Sequence, residues 1–177
     1  MTPLCELALK YGTDKCPRIK HHYTPVYYEM FGNRREEIRK VVEIGVGTGA
    51  SLRTWRDFFP NAMVYGADIV PELLFSEERI ETLLCNQRAR EDLERLVGIT
   101  GSDVDLFIDD GSHNPDDQLF TCQTIMPLLD ERAVYVIEDA WRVGIVRGLG
   151  EYDWEKIGFA NRASNDDRLI VVRRKRG

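Results

Sequence analysis

Hydrophobic and polar positions along the chain alternate between short apolar runs and helical stripes. "KVVEIGVG" (40–47) is β-branched and apolar at consecutive positions, the pattern of a strand buried on both faces. In "SLRTWRDFF" (51–59), Leu52, Trp55 and Phe59 recur at helical spacing, and Pro60 with Asn61 stops the run. "AMVYGADI" (62–69), "ETLLCNQ" (81–87), "VDLFID" (104–109) and "AVYVIED" (133–139) read as further strands. Between them, "REDLERLVG" (90–98) predicts a short amphipathic helix ending at Gly98. "NPDDQLFTCQTIM" (114–126) predicts another, with Asn114 as N-cap, Pro115 at its first position and Asp116 and Asp117 complementing its dipole. Leu119, Cys122 and Met126 form its apolar side. "WEKIGFAN" and "RLIVVRRK" predict a closing antiparallel hairpin.

Strands alternating with helices imply an α/β fold: a Rossmann-like, mostly parallel sheet with helices on both faces and the C-terminal hairpin at one side. The 177 residues are expected to make a single domain, with 1–38 a helical segment contributing to the site and 39–177 the core. Ligands in such folds bind outside the carboxyl ends of the strands, where strand order reverses. Three of the expected strands end there in acids: Asp68, Asp109 with Asp110, and Glu138 with Asp139.

Composition narrows the partners. A formal charge of -6 argues against nucleic acid, and "RRKRG" at the end reads as a solvated strand terminus. No apolar run approaches the ~20 residues of a membrane span. The N-terminal stretch lacks the pattern of a secretory leader. Cys5, Cys16, Cys85 and Cys122 are scattered without metal-site spacing, as expected of reduced thiols in a cytoplasmic protein.

"EIGVGTGA" (43–50) places Gly45, Gly47 and Gly49 between a strand and a helix, where glycine permits a tight turn and close approach of a ligand. Gly45, Gly47 and Ala50 also fit the dinucleotide pattern, with Asp68 placed to bind a ribose. Glu43, two residues before the first glycine, is awkward beside a pyrophosphate and suits a cofactor bearing ammonium or sulfonium charge.

"VVEIGVGTGASLRTW" resembles the first motif of class I S-adenosylmethionine-dependent methyltransferases, with Asp68 in the place of their ribose-binding acid. "YGTDK", "HHYTPVYYEMF", "IDDGSH" and "VIED" are similar to the metal-dependent sugar O-methyltransferases of macrolide and related natural-product biosynthesis. The resemblance runs from Tyr11 to the "DDRLIVVRR" end. It implies a seven-stranded sheet, S-adenosyl-L-methionine as cofactor, and Mg²⁺ or another hard divalent cation. It further implies Asp110 and Asp139 as metal-binding acids, His113 as general base, Glu138 as a further ligand or supporting acid, and Glu29 as another metal carboxylate. Gln87 falls where such enzymes contact adenine, while Asn86 departs from the aspartate expected beside it. Lys15 and Tyr23 are expected to reach the cofactor's carboxylate end. His21 and His22 are expected to be structural or cofactor-lining, and Trp55, Tyr27 and Phe31 to be core or wall residues.

The chemistry is consistent with these assignments. Methyl transfer from a sulfonium is an in-line displacement in which alignment dominates. A sugar hydroxyl needs a cation to acidify and position it, and a base to take its proton. Carboxylates suit a hard ion. The adjacent aspartates are expected to divide two positive charges, Asp109 facing the cofactor's ammonium and Asp110 the metal.

The stretch "AWRVGIVRGLGEYD", with Gly144, Gly148 and Gly150, is short where related enzymes carry longer substrate-covering segments. Either the pocket is open to a large glycoside, or a second copy in a homo-oligomer closes it, or the segment is a lid hinged at its glycines. Two other readings stand: an NAD(P)-dependent oxidoreductase using the same glycine turn, and a catalytically silent cofactor-binding or interaction module.

Overall fold

The computed structural model describes residues 1–159 and 167–175. Its centre is one sheet in the order β3-β4-β2-β1-β5-β6-β8-β7. The strands are β1 (Lys40–Ile44), β2 (Met63–Asp68), β3 (Ser76–Glu77), β4 (Ile80–Leu84), β5 (Leu106–Asp109), β6 (Val134–Ile137), β7 (Tyr152–Gly158) and β8 (Arg168–Arg174). Strands β4, β2, β1, β5 and β6 run parallel, whereas β8 pairs antiparallel with both β6 and β7. The expected hairpin is therefore present, with its second strand lying inside the sheet. Ala160 and Asn161, expected in its first strand, lie outside the described residues. The expected seven strands become eight through β3, two residues antiparallel to β4 at the edge.

The helices are α1 (Pro3–Tyr11), α2 (Tyr23–Phe31), α3 (Ala50–Phe58), α4 (Arg90–Thr100) and α5 (Pro115–Ile125). Asn114 caps α5 as expected, accepting from the Asp116 N–H. Helix α4 departs from expectation: it passes through Gly98 and stops at Gly101, whose φ is 84°. A mid-helix glycine costs only about 1 kcal/mol, and the next turn buries Thr100.

Strand pleat sorts the core into two layers. Val41, Leu106, Ile108, Val134 and Val136 face α1, α2 and α3, packing with Tyr27, Leu52, Trp55 and Phe58. Val42, Ile44, Phe107, Tyr135 and Ile137 face α4 and α5, packing with Leu93, Leu96, Cys122 and Ile125. Parity continues past the strand ends. Glu43, Asp110 and Glu138 share the α1–α3 side, and Asp109 falls on the other. The chain order β1-β2-β4 then β5-β6 reverses between β1 and β5, which puts the crevice of the fold beside Gly45 and Asp110.

The segment 140–151 is not a free flap. It forms a 3₁₀ turn (Val143–Leu149) whose Ile145 and Leu149 are buried in the α4/α5 core layer. Gln123 Nε2 donates to the Gly148 carbonyl at 2.9 Å.

Candidate active site

At the switch point the exits of β1 and β5 nearly touch. Gly45 adopts a φ of 101°, and a Cβ there would lie 2.1 Å from the Asp110 carbonyl oxygen. No other residue fits. Gly47, at φ 51°, faces open space. On one side of this turn a groove of about 380 Å³ is lined by Ala67, Asp68, Ile69, Asn86, Gln87 and Ser112. On the other, a hollow of about 210 Å³ lies between Thr13, Lys15, Gly47, Ser51 and Asp110.

Asp68 is in the groove, with one oxygen accepting from Val46 N–H at 2.8 Å and the other from Val70 N–H at 3.0 Å. A carboxylate oxygen accepts more than one bond, so both retain capacity toward a ligand. Gln87 is also there, but its amide is engaged internally. Nε2 donates to Asp109 and Thr121, both at 3.2 Å, and Oε1 accepts from Ser112 N–H at 2.7 Å.

The acids gather across the turn. Lys15 Nζ lies 2.5 Å from Asp110 Oδ2, 2.5 Å from Glu138 Oε2 and 3.3 Å from Glu43 Oε1. These are the three acids that strand parity puts on one side. Lys15 is 2% exposed, so it is an internal cation and not the expected contact of a cofactor carboxylate. Burial works against its charge, but Asp110, Glu138 and Glu43 together hold it protonated. Burial pushes the carboxyl groups of Glu43 and Glu138 upward against that same ammonium. Tyr27 donates to Glu138 Oε1 at 2.6 Å, and Trp55 Nε1 donates to Glu43 Oε2 at 2.5 Å. Glu43 is fully buried between Trp55 and Lys15, so the expected direct contact with a cofactor gives way to an internal one.

His113 bridges two acids, Nε2 lying 3.0 Å from Asp110 Oδ1 and Nδ1 3.3 Å from Asp139 Oδ2. Asp139 Oδ1 accepts from Tyr23 at 2.5 Å. Ligand atoms of Asp110, His113 and Asp139 all lie within 4.8 Å of one another. Both His113 and Asp139 are left-handed, at φ 55° and 51°. Such residues cost on the order of 1–3 kcal/mol each and persist where their surroundings over-determine them. The hydrogen bond with Asp110 raises the His113 pKa, with burial opposing. Burial opposes ionisation of Asp110 too, yet Lys15 and His113 hold it at about 2.

Asp109 is not in this cluster. It is fully buried under Gln87, with Tyr135 donating to Oδ2 at 3.2 Å, and burial pushes its carboxyl up to about 7. The expected cofactor contact is corrected accordingly. Glu29 is corrected as well. Helix α2 turns Tyr23 and Tyr27 toward the acids, and Glu29, two residues on from Tyr27, is exposed on another face. His21 is buried, stacked on Tyr23, with Nδ1 3.2 Å from Asp167 Oδ1. Lys15 is the residue whose role the sequence reading missed. The signal for it was the shared parity of Glu43, Asp110 and Glu138.

A parallel sheet reversing at a glycine turn, with an acid closing β2, is common to Rossmann-like folds; with antiparallel β8 set between β6 and β7, the sheet has the Rossmann-like architecture of methyltransferases. No protein-family model matches the chain. Its curated relatives are sugar O-methyltransferases of natural-product biosynthesis. The 8-demethyl-8-alpha-L-rhamnosyl tetracenomycin-C 2'-O-methyltransferase of Streptomyces olivaceus is 34% identical over 169 residues, 90% of this chain and 44% of the relative. The mycinamicin VI 2''-O-methyltransferase of Micromonospora griseorubida is 37% identical over 145 residues, 78% of this chain and 36% of the relative. The MycE methyltransferase of the mycinamycin pathway, solved with Mg, S-adenosylhomocysteine and mycinamycin VI, superimposes with a TM-score of 0.82 at 27% identity. That match covers 99% of this chain and 55% of MycE. The chain thus spans roughly two-fifths of the length of these curated relatives.

Proposed function

We propose that the chain binds S-adenosylmethionine and, with a divalent cation, methylates a hydroxyl of a glycosyl group on a natural product. The observation that carries this reading is the joint position of two features at one sheet edge. A groove closed by Asp68 and the glycine turn opens beside the Asp110–His113–Asp139 cluster, and Gly45 packs their backbones together. An oxidoreductase would use the groove but leaves the acid cluster without a task.

The acids fit a cation on the structure's own terms. The Lys15 ammonium bridges Asp110 Oδ2 and Glu138 Oε2, and a second set of oxygens on Asp110 and Asp139 converges on the spot taken by His113. Asp110 and Asp139 would hold a hard divalent ion, with Glu138, whose oxygens are engaged by Lys15 and Tyr27, as a supporting acid behind them. Such an ion, when bound, lowers the pKa of an acceptor hydroxyl and fixes its direction. Asp68 would accept from the ribose hydroxyls of the cofactor, and Gln87 would wall its adenine end. The cofactor, when bound, supplies an electrophilic methyl group on sulfur.

His113, held between Asp110 and Asp139, is the ring that would take the hydroxyl proton. Because Asp110 raises the His113 pKa, the ring gives up its proton at higher pH than a free imidazole does, and the rate should climb with pH through that titration. Tyr23 and Tyr27 orient Asp139 and Glu138, and Lys15 keeps the buried acids from repelling one another.

The test has two arms. Calorimetry should give a saturable signal with S-adenosylhomocysteine and none with NAD. Methyl transfer to a rhamnosylated or macrolide glycoside should disappear with chelator and return with Mg²⁺. NAD binding without a response to S-adenosylhomocysteine would overturn the assignment. Transfer indifferent to chelation would remove the metal from it.

A further inference from the structure

Trp141 follows Asp139 by two residues and has no part in the reading above. Its indole Nε1 donates to the His113 carbonyl at 2.9 Å, and its backbone N–H donates to the Asp139 carbonyl at 2.9 Å. Those are the two left-handed residues of the acid cluster. One residue therefore clasps the loops leaving β5 and β6, and it does so at their two strained points. Arg168 adds a bond from Nη1 to the Trp141 carbonyl at 3.2 Å, tying the clasp to β8.

Whereas Trp55 is fully buried in the core, Trp141 is 47% exposed. Its indole N–H is satisfied internally, so what it offers to solvent is an apolar π-face beside His113. A pyranose presents C–H groups on one face and hydroxyls around its rim, and aromatic walls with few polar groups are what small-molecule sites use to orient such ligands.

We propose that Trp141 is both a positioning residue and the acceptor platform: its two N–H groups lock His113 and Asp139 in register, and its exposed face stacks the sugar ring of the glycoside. This rests on the glycoside reading above, which it deepens by naming the surface that receives the sugar.

Trp141→Phe keeps an aromatic face and removes the indole N–H, whereas Trp141→Ala removes both. With 4-nitrophenyl α-L-rhamnopyranoside as acceptor, Trp141→Phe should lower kcat about tenfold, the scale of one lost orienting hydrogen bond. Its KM should stay near that of the unmodified protein. Trp141→Ala should lower kcat equally and also raise KM about tenfold or more. Calorimetry with S-adenosylhomocysteine serves as the check of folding for both.

Two readings stand apart from turnover. In a Trp154→Phe background, titration with the rhamnoside should quench indole emission, and Trp141→Phe should abolish the quench. The Trp141 indole proton should exchange slowly with deuterium despite its exposed ring. Fast exchange, or Trp141→Phe with unchanged kcat, overturns the clasp. An unquenched emission, or Trp141→Ala with unchanged KM, overturns the platform. Loss of S-adenosylhomocysteine binding by the unmodified protein would instead sink the methyltransferase reading, and these two optical and exchange readings would still decide Trp141.

Discussion

Asp109 and Asp110 are neighbours in sequence and opposites in every physical respect. Asp109 lies on the α4/α5 side, wholly buried, bonded by the neutral donors Gln87 and Tyr135, its carboxyl pushed up to about 7. Asp110 lies on the α1–α3 side, partly open, between Lys15 and His113, held at about 2. Nothing but strand pleat separates them. The same residue type becomes a structural hydrogen-bond acceptor on one side and an ionised ligand on the other. Cations, not acidity as such, mark the functional side.

The widest separation should appear in turnover. His113→Ala should cost about 10²–10⁴-fold in rate, as removal of a general base does. Asp110→Ala should cost at least as much, while Asp109→Asn keeps most of the activity, measured by transfer from labelled S-adenosylmethionine. If Asp109→Asn is as damaging as Asp110→Ala, the two sides are not distinct in function.

Stability comes next. Lys15→Met leaves three acids around one spot without their cation, and loss of one partner in a buried ion pair costs about 3–5 kcal/mol. Urea denaturation in chelator should show that loss, and Mg²⁺ should recover more stability in the variant than in the unmodified protein. A variant as stable as its parent in chelator would mean that Lys15 is dispensable to the acid side.

Asp68 tests the groove apart from the acids. Asp68→Ala should weaken S-adenosylhomocysteine by about 1.5–3 kcal/mol, the worth of hydrogen bonds to a charged group. Unchanged affinity in calorimetry would place the ribose elsewhere.

The last contrast is in pH. Asp109 is raised from 3.8 to about 7, so between those values the folded chain keeps a proton the unfolded chain has released. Its contribution to stability therefore falls as pH rises through that window, by up to about 1.4 kcal/mol per pH unit. Asp110 has the opposite sign. Its lowered pKa stabilises above 3.8, and that contribution is lost as pH falls toward about 2. Urea titrations between pH 5 and 8 should slope downward for the unmodified protein and flatten in Asp109→Asn. An identical slope would assign the effect to other groups.

Much of this was legible from residue order. The Asn114 cap, the glycine turn and the acid-tipped strands are local signals, and each stands where its pattern puts it. Gly98 misled because helix propensity is a weak force beside burial of the next turn. Lys15 could not be placed by local pattern. It meets Asp110 across 95 residues and Glu138 across 123. Glu29 misled for a plainer reason: its approximate spacing fitted, but the helix face it occupies points elsewhere.

Those separations also set a timetable for synthesis on the ribosome. The Lys15 side chain leaves the exit tunnel before its acids; Glu43 follows soonest and Glu138 last. Strand β8, which flanks β6, is made later still. The amino-terminal helices therefore wait with an ammonium that lacks Asp110 and Glu138 until the sheet's second half is made. Contacts this distant slow folding. The acid cluster is thus among the last parts of the molecule to assemble, and nascent chains stalled before residue 138 should leave Lys15 open to amine-reactive reagents that completed chains exclude.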